Sequence, residues 1–134
     1  MSVTKNVGFT AAAAIAATLA TAAATLARGE TSATGVPGDA VHGKTVYQEC
    51  MGCHSLDEDD VGPKHRGVVG RVAGAVPGYA YSPALRNSGL TWDAPNLERW
   101  LTNPQALVPG AKMFFALPNA NDRADVIAYL AEQR

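Results

Sequence analysis

The sequence predicts an all-α domain with long loops. Near the C-terminus, Val126, Tyr129 and Leu130 fall at i, i+3 and i+4, the spacing of one helical face. Proline and glycine punctuate short apolar segments between residues 82 and 110, and no β-rich half follows the two cysteines.

The helices are taken in chain order. Asp39 is placed to cap a helix running to about Cys50, with Gly43 and Tyr47 on one face. "SPALRNSG" predicts a short helix, with Ser82 as cap, Pro83 at its first position and Gly89 as its stop. "APNLERWLTNP" predicts another, with Leu97, Trp100 and Leu101 facing inward and Pro104 enforcing its end. The last helix is expected after Asn121 as cap, with Asp122 in its first turn. Its apolar stripe should pack on the first helix, where Gly43 permits close approach.

The first thirty residues have another character. "MSVTKNVGFTAAAAIAATLATAAATLARG" carries Lys5, then no charge until Arg28, with small residues throughout its second half. That pattern predicts a secretory signal peptide over residues 1–27, cut after Ala24 or Ala27. The alternative is an uncleaved anchor, since Val7 to Ala27 can span a bilayer at about 1.5 Å per residue. Only two leucines, Leu19 and Leu26, stand in that stretch, so a permanent anchor would be marginal. Residues 28–38 read as a flexible polar linker and residues 39–134 as one small domain. A formal net charge of −1 provides no basic field for nucleic acid.

The chemistry concentrates in "VYQECMGCHSL". It contains both cysteines of the chain, Cys50 and Cys53, with His54 directly after the second. In an exported protein a Cys50–Cys53 disulfide or a thioredoxin-like pair is an ordinary reading. The redox pair, however, belongs at the start of a helix in a βαβ unit, whereas "HGKTVYQE" looks like a helix end. Zinc needs four ligands and usually a second paired cluster, which only His42 and His65 remain to supply. C-x-x-C-H is the signature of covalent haem attachment: two thiols add to the haem vinyl groups and the adjacent histidine becomes the proximal ligand. One motif predicts one haem c, which would also supply part of a small domain's core.

The sixth position of the iron then separates electron transfer from chemistry on small molecules. Met51 is tied inside the attachment loop and Met1 leaves with the signal, so Met113 is the remaining methionine candidate. Pro109 and Gly110 form a turn that presents its loop in extended form. Ordinary core packing is the alternative role for this residue.

Several further blocks follow in order: "GP" at 62 and 63, "GVVGRVAG" at 67–74, "GYAYS" at 78–82, "SGLTW" at 88–92, "NPQALVPGAKMFF" at 103–115 and "DRADVIAYL" at 122–130. With "CMGCH", they make residues 43–133 resemble the class I cytochromes c, the small soluble His/Met type. The resemblance implies a fold in which the N- and C-terminal helices pack on each other around the haem. It implies that Cys50 and Cys53 hold the haem and that His54 and Met113 are its axial metal ligands. By the same resemblance, the Pro63 carbonyl accepts the His54 ring N–H, Arg71, Tyr81 and Trp92 lie near a haem propionate, and Phe115 covers the methionine side.

The resemblance further implies a non-enzymatic, monomeric carrier of single electrons in the periplasm, with no small-molecule substrate. Its partners would be redox proteins: a quinol-oxidising complex or dehydrogenase as donor, a terminal oxidase or similar enzyme as acceptor. Two other functions stand beside it, a dedicated subunit of one periplasmic dehydrogenase and, if Met113 leaves the iron free, a haem sensor or peroxidase. Several positions depart from the family pattern. His65 replaces a leucine and is expected as a polar neighbour of the haem edge or a competitor for iron. Trp100 replaces the tyrosine that hydrogen-bonds the axial sulfur in mitochondrial members, which leaves that contact open. Gln105 and Ala106 replace two lysines, so docking should depend less steeply on salt. The acidic run at 57–60 reads as a solvated face.

Overall fold

The computed structural model describes residues 1–2 and 34–134. Apart from Met1 and Ser2, the expected signal segment lies outside the described residues, as do residues 28–33 of the expected linker. Among the described residues no helix is long and apolar enough to cross a membrane.

The architecture is the expected all-helical one, with long connections. Helix α1 spans Ala40–Val46 and tightens into a 3₁₀ turn at Tyr47–Glu49. Helix α2 is Pro83–Arg86, α3 is Ala94–Thr102, α4 is Pro104–Leu107 and α5 is Ala120–Glu132. Each has a side-chain cap that satisfies otherwise orphaned N–H groups. Asp39 accepts from Val41 and His42 at 2.8 and 3.1 Å, and Ser82 accepts from Leu85 at 3.1 Å. Asp93 and Asn103 accept from Asn96 and Ala106 at 2.8 and 3.0 Å.

Two details differ from expectation. Helix α5 is capped by Asn119, not Asn121: Asn119 keeps an extended backbone and accepts the Asn121 N–H, so Asn121 is already helical. Pro104 ends α3 but also opens α4, because Asn103 turns extended (φ −164°, ψ 99°) and caps the following residues. Proline is favourable at a first helical position, where no N–H is needed.

The core forms where α5 packs against α1 and α3. Val126 and Ala128 are fully buried, and Ile127, Leu130, Val46, Tyr47, Leu97 and Leu101 join them. Gly43 is the reason α1 can lie so close: a Cβ there would sit 2.0 Å from the Asp125 carbonyl oxygen. Asp125 also accepts the Asp39 N–H at 2.7 Å and pairs with His42 Nδ1 at 2.8 Å, which ties the two ends of the domain together. Inside α5, Arg123 is buried and donates to the Leu117 and Pro118 carbonyls and to Glu98 at 2.7, 2.9 and 2.6 Å. These bonds fix the return of the chain from α4 to α5.

Candidate haem site

The loops enclose one mostly apolar cavity of about 390 Å³, within the ordinary range of ligand pockets. All nine residues singled out in the sequence line it: Cys50, Cys53, His54, Pro63, Arg71, Tyr81, Trp92, Met113 and Phe115.

Cys50 and Cys53 stand at the turn that closes the 3₁₀ segment, where the Cys53 and His54 N–H groups both donate to the Cys50 carbonyl, at 3.1 and 3.0 Å. Their sulfurs are not joined in a disulfide. Burial pushes the Cys50 thiol up to about 11, the reverse of the depressed value that marks a redox-active pair. Among the described residues no three His, Cys, Asp or Glu side chains converge to hold a metal ion, which leaves no zinc site there.

His54 is fixed by its partner. Its Nδ1 lies 2.7 Å from the Pro63 carbonyl, which can only accept, so Nδ1 carries the proton. Nε2 is left with a free lone pair, the state a metal ligand needs. Burial lowers the affinity of this ring for a second proton. Gly62 allows the arrangement, since a Cβ there would come within 2.1 Å of the imidazole Cε1. Acidic residues brace the same loop: Asp59 accepts the Lys64 N–H at 2.8 Å, and Asp57 pairs with Arg66 at 2.5 and 3.0 Å. Two members of the run expected as a solvated face thus hold the segment next to Pro63.

His65 stacks on His54 at 3.9 Å between ring centroids, with 20° between the planes. Its Nδ1 shares a 3.2 Å hydrogen bond with the Tyr47 hydroxyl. Burial, then the neighbouring His54 and Arg71, hold its imidazole down to about 3, so the ring is neutral. Arg71 lines the cavity while donating to the Lys64 and Arg66 carbonyls at 2.7 and 3.1 Å. Tyr81 and Trp92 are buried, and Phe115 is exposed on its outer side beside the more exposed Phe114.

Met113 follows the turn at 108–111, where Ala111 N–H donates to Val108 O at 3.1 Å and Gly110 takes φ +89°, a conformation that favours glycine. Its sulfur accepts the indole N–H of Trp100 at 3.2 Å. The departure from tyrosine at this position therefore keeps a donor on the thioether. Sequence reading found Trp100 as an inward residue and missed this contact, as it missed the hydrogen bonds that Gln105 makes to the Met113 segment.

The donor set suits a c-type haem: two thiols in one turn, an imidazole with its outer nitrogen fixed, a thioether and an apolar lining. A family model described as cytochrome c matches residues 40–134. The chain is 51% identical over 100 residues to cytochrome c2 of Rhodomicrobium vannielii, covering 72% of this chain and 80% of that protein. It is 44% identical over 99 residues to cytochrome c2 of Rhodoblastus acidophilus, covering 71% and 92% respectively. Among solved structures, cytochrome cH from Methylobacterium extorquens is similar with a TM-score of 0.69 and 44% identity, over 71% of this chain and 99% of that one.

Proposed function

Because this chain belongs to the cytochrome c family, whose members carry electrons on one covalently attached haem c, we propose that Cys50 and Cys53 bind that haem and that His54 and Met113 ligate its iron. At the level of the family, the chain is a monohaem electron carrier with redox proteins as partners, not an enzyme. The observation that best supports the ligand assignment is the 2.7 Å contact between His54 Nδ1 and the Pro63 carbonyl, which leaves the Nε2 lone pair free to ligate a metal.

When bound, the haem supplies a one-electron couple between ferrous and ferric iron. The chain's residues set the conditions for it. Pro63 holds the imidazole in one tautomer and one orientation. Met113 offers a soft thioether, and the Trp100 N–H withdraws electron density from it; both favour the reduced state. The apolar lining excludes water and disfavours the additional charge of the oxidised centre. Arg71, Tyr81 and Trp92 would donate to a propionate, whose burial is costly without such groups. Electron transfer would be outer-sphere, with His54 and Met113 both retained as ligands throughout.

In this reading the protein is an exported, periplasmic monomer. It takes electrons from a quinol-oxidising complex or dehydrogenase and gives them to a terminal oxidase or similar acceptor. The test is the spectrum of the exported protein with a haem stain after denaturation. We expect pigment that survives acidified acetone and, in the oxidised form, the red charge-transfer band of a methionine–ferric bond, lost in Met113→Ala. Extractable pigment, or a red band that persists in Met113→Ala, would overturn the assignment.

A further inference from the structure

The backbone that carries Met113 has no regular secondary structure from Val108 to Asn119, yet one side chain grips three of its polar groups. Gln105, on α4, donates from Nε2 to the carbonyls of Ala111 and Met113, each at 2.8 Å. Its Oε1 accepts the Gly110 N–H at 3.2 Å. Both amide protons and the amide oxygen are therefore engaged, on the turn before the methionine and on the methionine itself. Only a carboxamide of this length does all three: a lysine has no acceptor, and a glutamate has no donor for the two carbonyls. The thioether is meanwhile held by Trp100 on α3, so side chain and main chain of Met113 are fixed from different helices.

We propose that Gln105 is a positioning residue that latches the Met113 segment shut and so controls how readily an external ligand displaces Met113 from the iron. The inference rests on the His/Met ligation proposed above. An external base can bind only while the segment is open, and its apparent dissociation constant falls as the open fraction rises. The three neutral hydrogen bonds lost from a partly exposed site when Gln105 becomes methionine should raise that fraction about tenfold. Gln105→Glu should raise it further, because a carboxylate would face two carbonyl oxygens in place of donating to them.

The test is imidazole titration of the oxidised holoprotein, followed by loss of the red charge-transfer band, for the wild type, Gln105→Met and Gln105→Glu. The reduction potential and the thermal midpoint are read beside it. Expected is imidazole binding about tenfold tighter for Gln105→Met and tighter again for Gln105→Glu, with His42→Asn as an unchanged control. If either variant fails to take up haem, the other carries the comparison. A wild-type band with variants that bind imidazole within about twofold of the wild type overturns the latch alone, since even one lost bond should exceed that change. A wild type without the band overturns the axial assignment and the latch together. An equal loss of thermal midpoint and of imidazole resistance, with the potential unmoved, marks general destabilisation and also overturns the latch.

Discussion

The segments that bring His54 and Met113 to the cavity are held in different ways. The His54 side closes locally. Gly62 N–H donates to Cys53 O at 2.7 Å, His65 N–H to Ser55 O at 2.9 Å and Arg66 N–H to Leu56 O at 2.7 Å, so a short loop is laced to itself by its own backbone. The Met113 side is assembled from elsewhere: Trp100 on α3, Gln105 on α4, Lys112 reaching the Ala80 carbonyl, and Leu117 N–H on Leu101 O at 2.8 Å. A locally laced loop fails when one crowded point is disturbed. A segment held by scattered side chains loosens by increments.

The largest effect is expected on the His54 side. Gly62→Ala would place a methyl group against the imidazole, and neither the ring nor the backbone can give way without losing the Pro63 contact. Holoprotein stability should fall by about 3 kcal/mol or more in denaturant unfolding. A wild-type midpoint and spectrum would show that the loop can yield after all.

Trp100→Phe should act more gently on the other side. It removes the donor to the Met113 sulfur while keeping a ring beside Trp92, whose centroid lies 5.1 Å away. With Met113 on the iron as proposed, its release should become easier by about 1 kcal/mol. The reduction potential should fall, because the thioether regains electron density that favours the oxidised iron. A potential unchanged or raised would remove the indole from the tuning of this centre.

The smallest expected effect touches neither side and calibrates both. Asp125 raises the affinity of exposed His42 for its proton, mainly through their hydrogen bond, with Asp122 and Asp39 adding to it. A folded-state value above the usual 6.5 means the pair contributes below that pH and fades as pH rises through the higher folded value. Unfolding midpoints between about pH 6 and 8 should decline slightly in the wild type and stay level in His42→Asn. The red band should not respond to this substitution.

The same contrast explains what the sequence disclosed. Residues whose role is set by near neighbours were legible: the Cys50–Cys53–His54 motif, the caps at Asp39 and Ser82, and the turn at Pro109 and Gly110 depend on a few adjacent positions. Helix α4 was hidden because Pro104 signals a stop and a start with the same chemistry, and only the extended Asn103 decides between them. With α4 hidden, Gln105 was simply a missing lysine, and its hold on the Met113 backbone had no visible origin. The Trp100 contact was out of reach for a related reason: an inward indole on a helix is ordinary core until the opposite loop is in place. The acidic run is solvent-exposed as expected, but the partners of Asp57 and Asp59 lie across a loop whose path the charges alone do not reveal.

Gly43 sets a different kind of limit on this molecule. Its backbone touches that of Asp125 with no room for a methyl group, so the two ends of the domain meet main chain to main chain and everything between them becomes one closed loop. Doubling the length of a flexible loop adds only about 0.6 kcal/mol of closure entropy. A single carbon at the crossing costs several times that. Added length in the loops around the haem should therefore cost this chain little, while the crossing that closes them admits almost no added width.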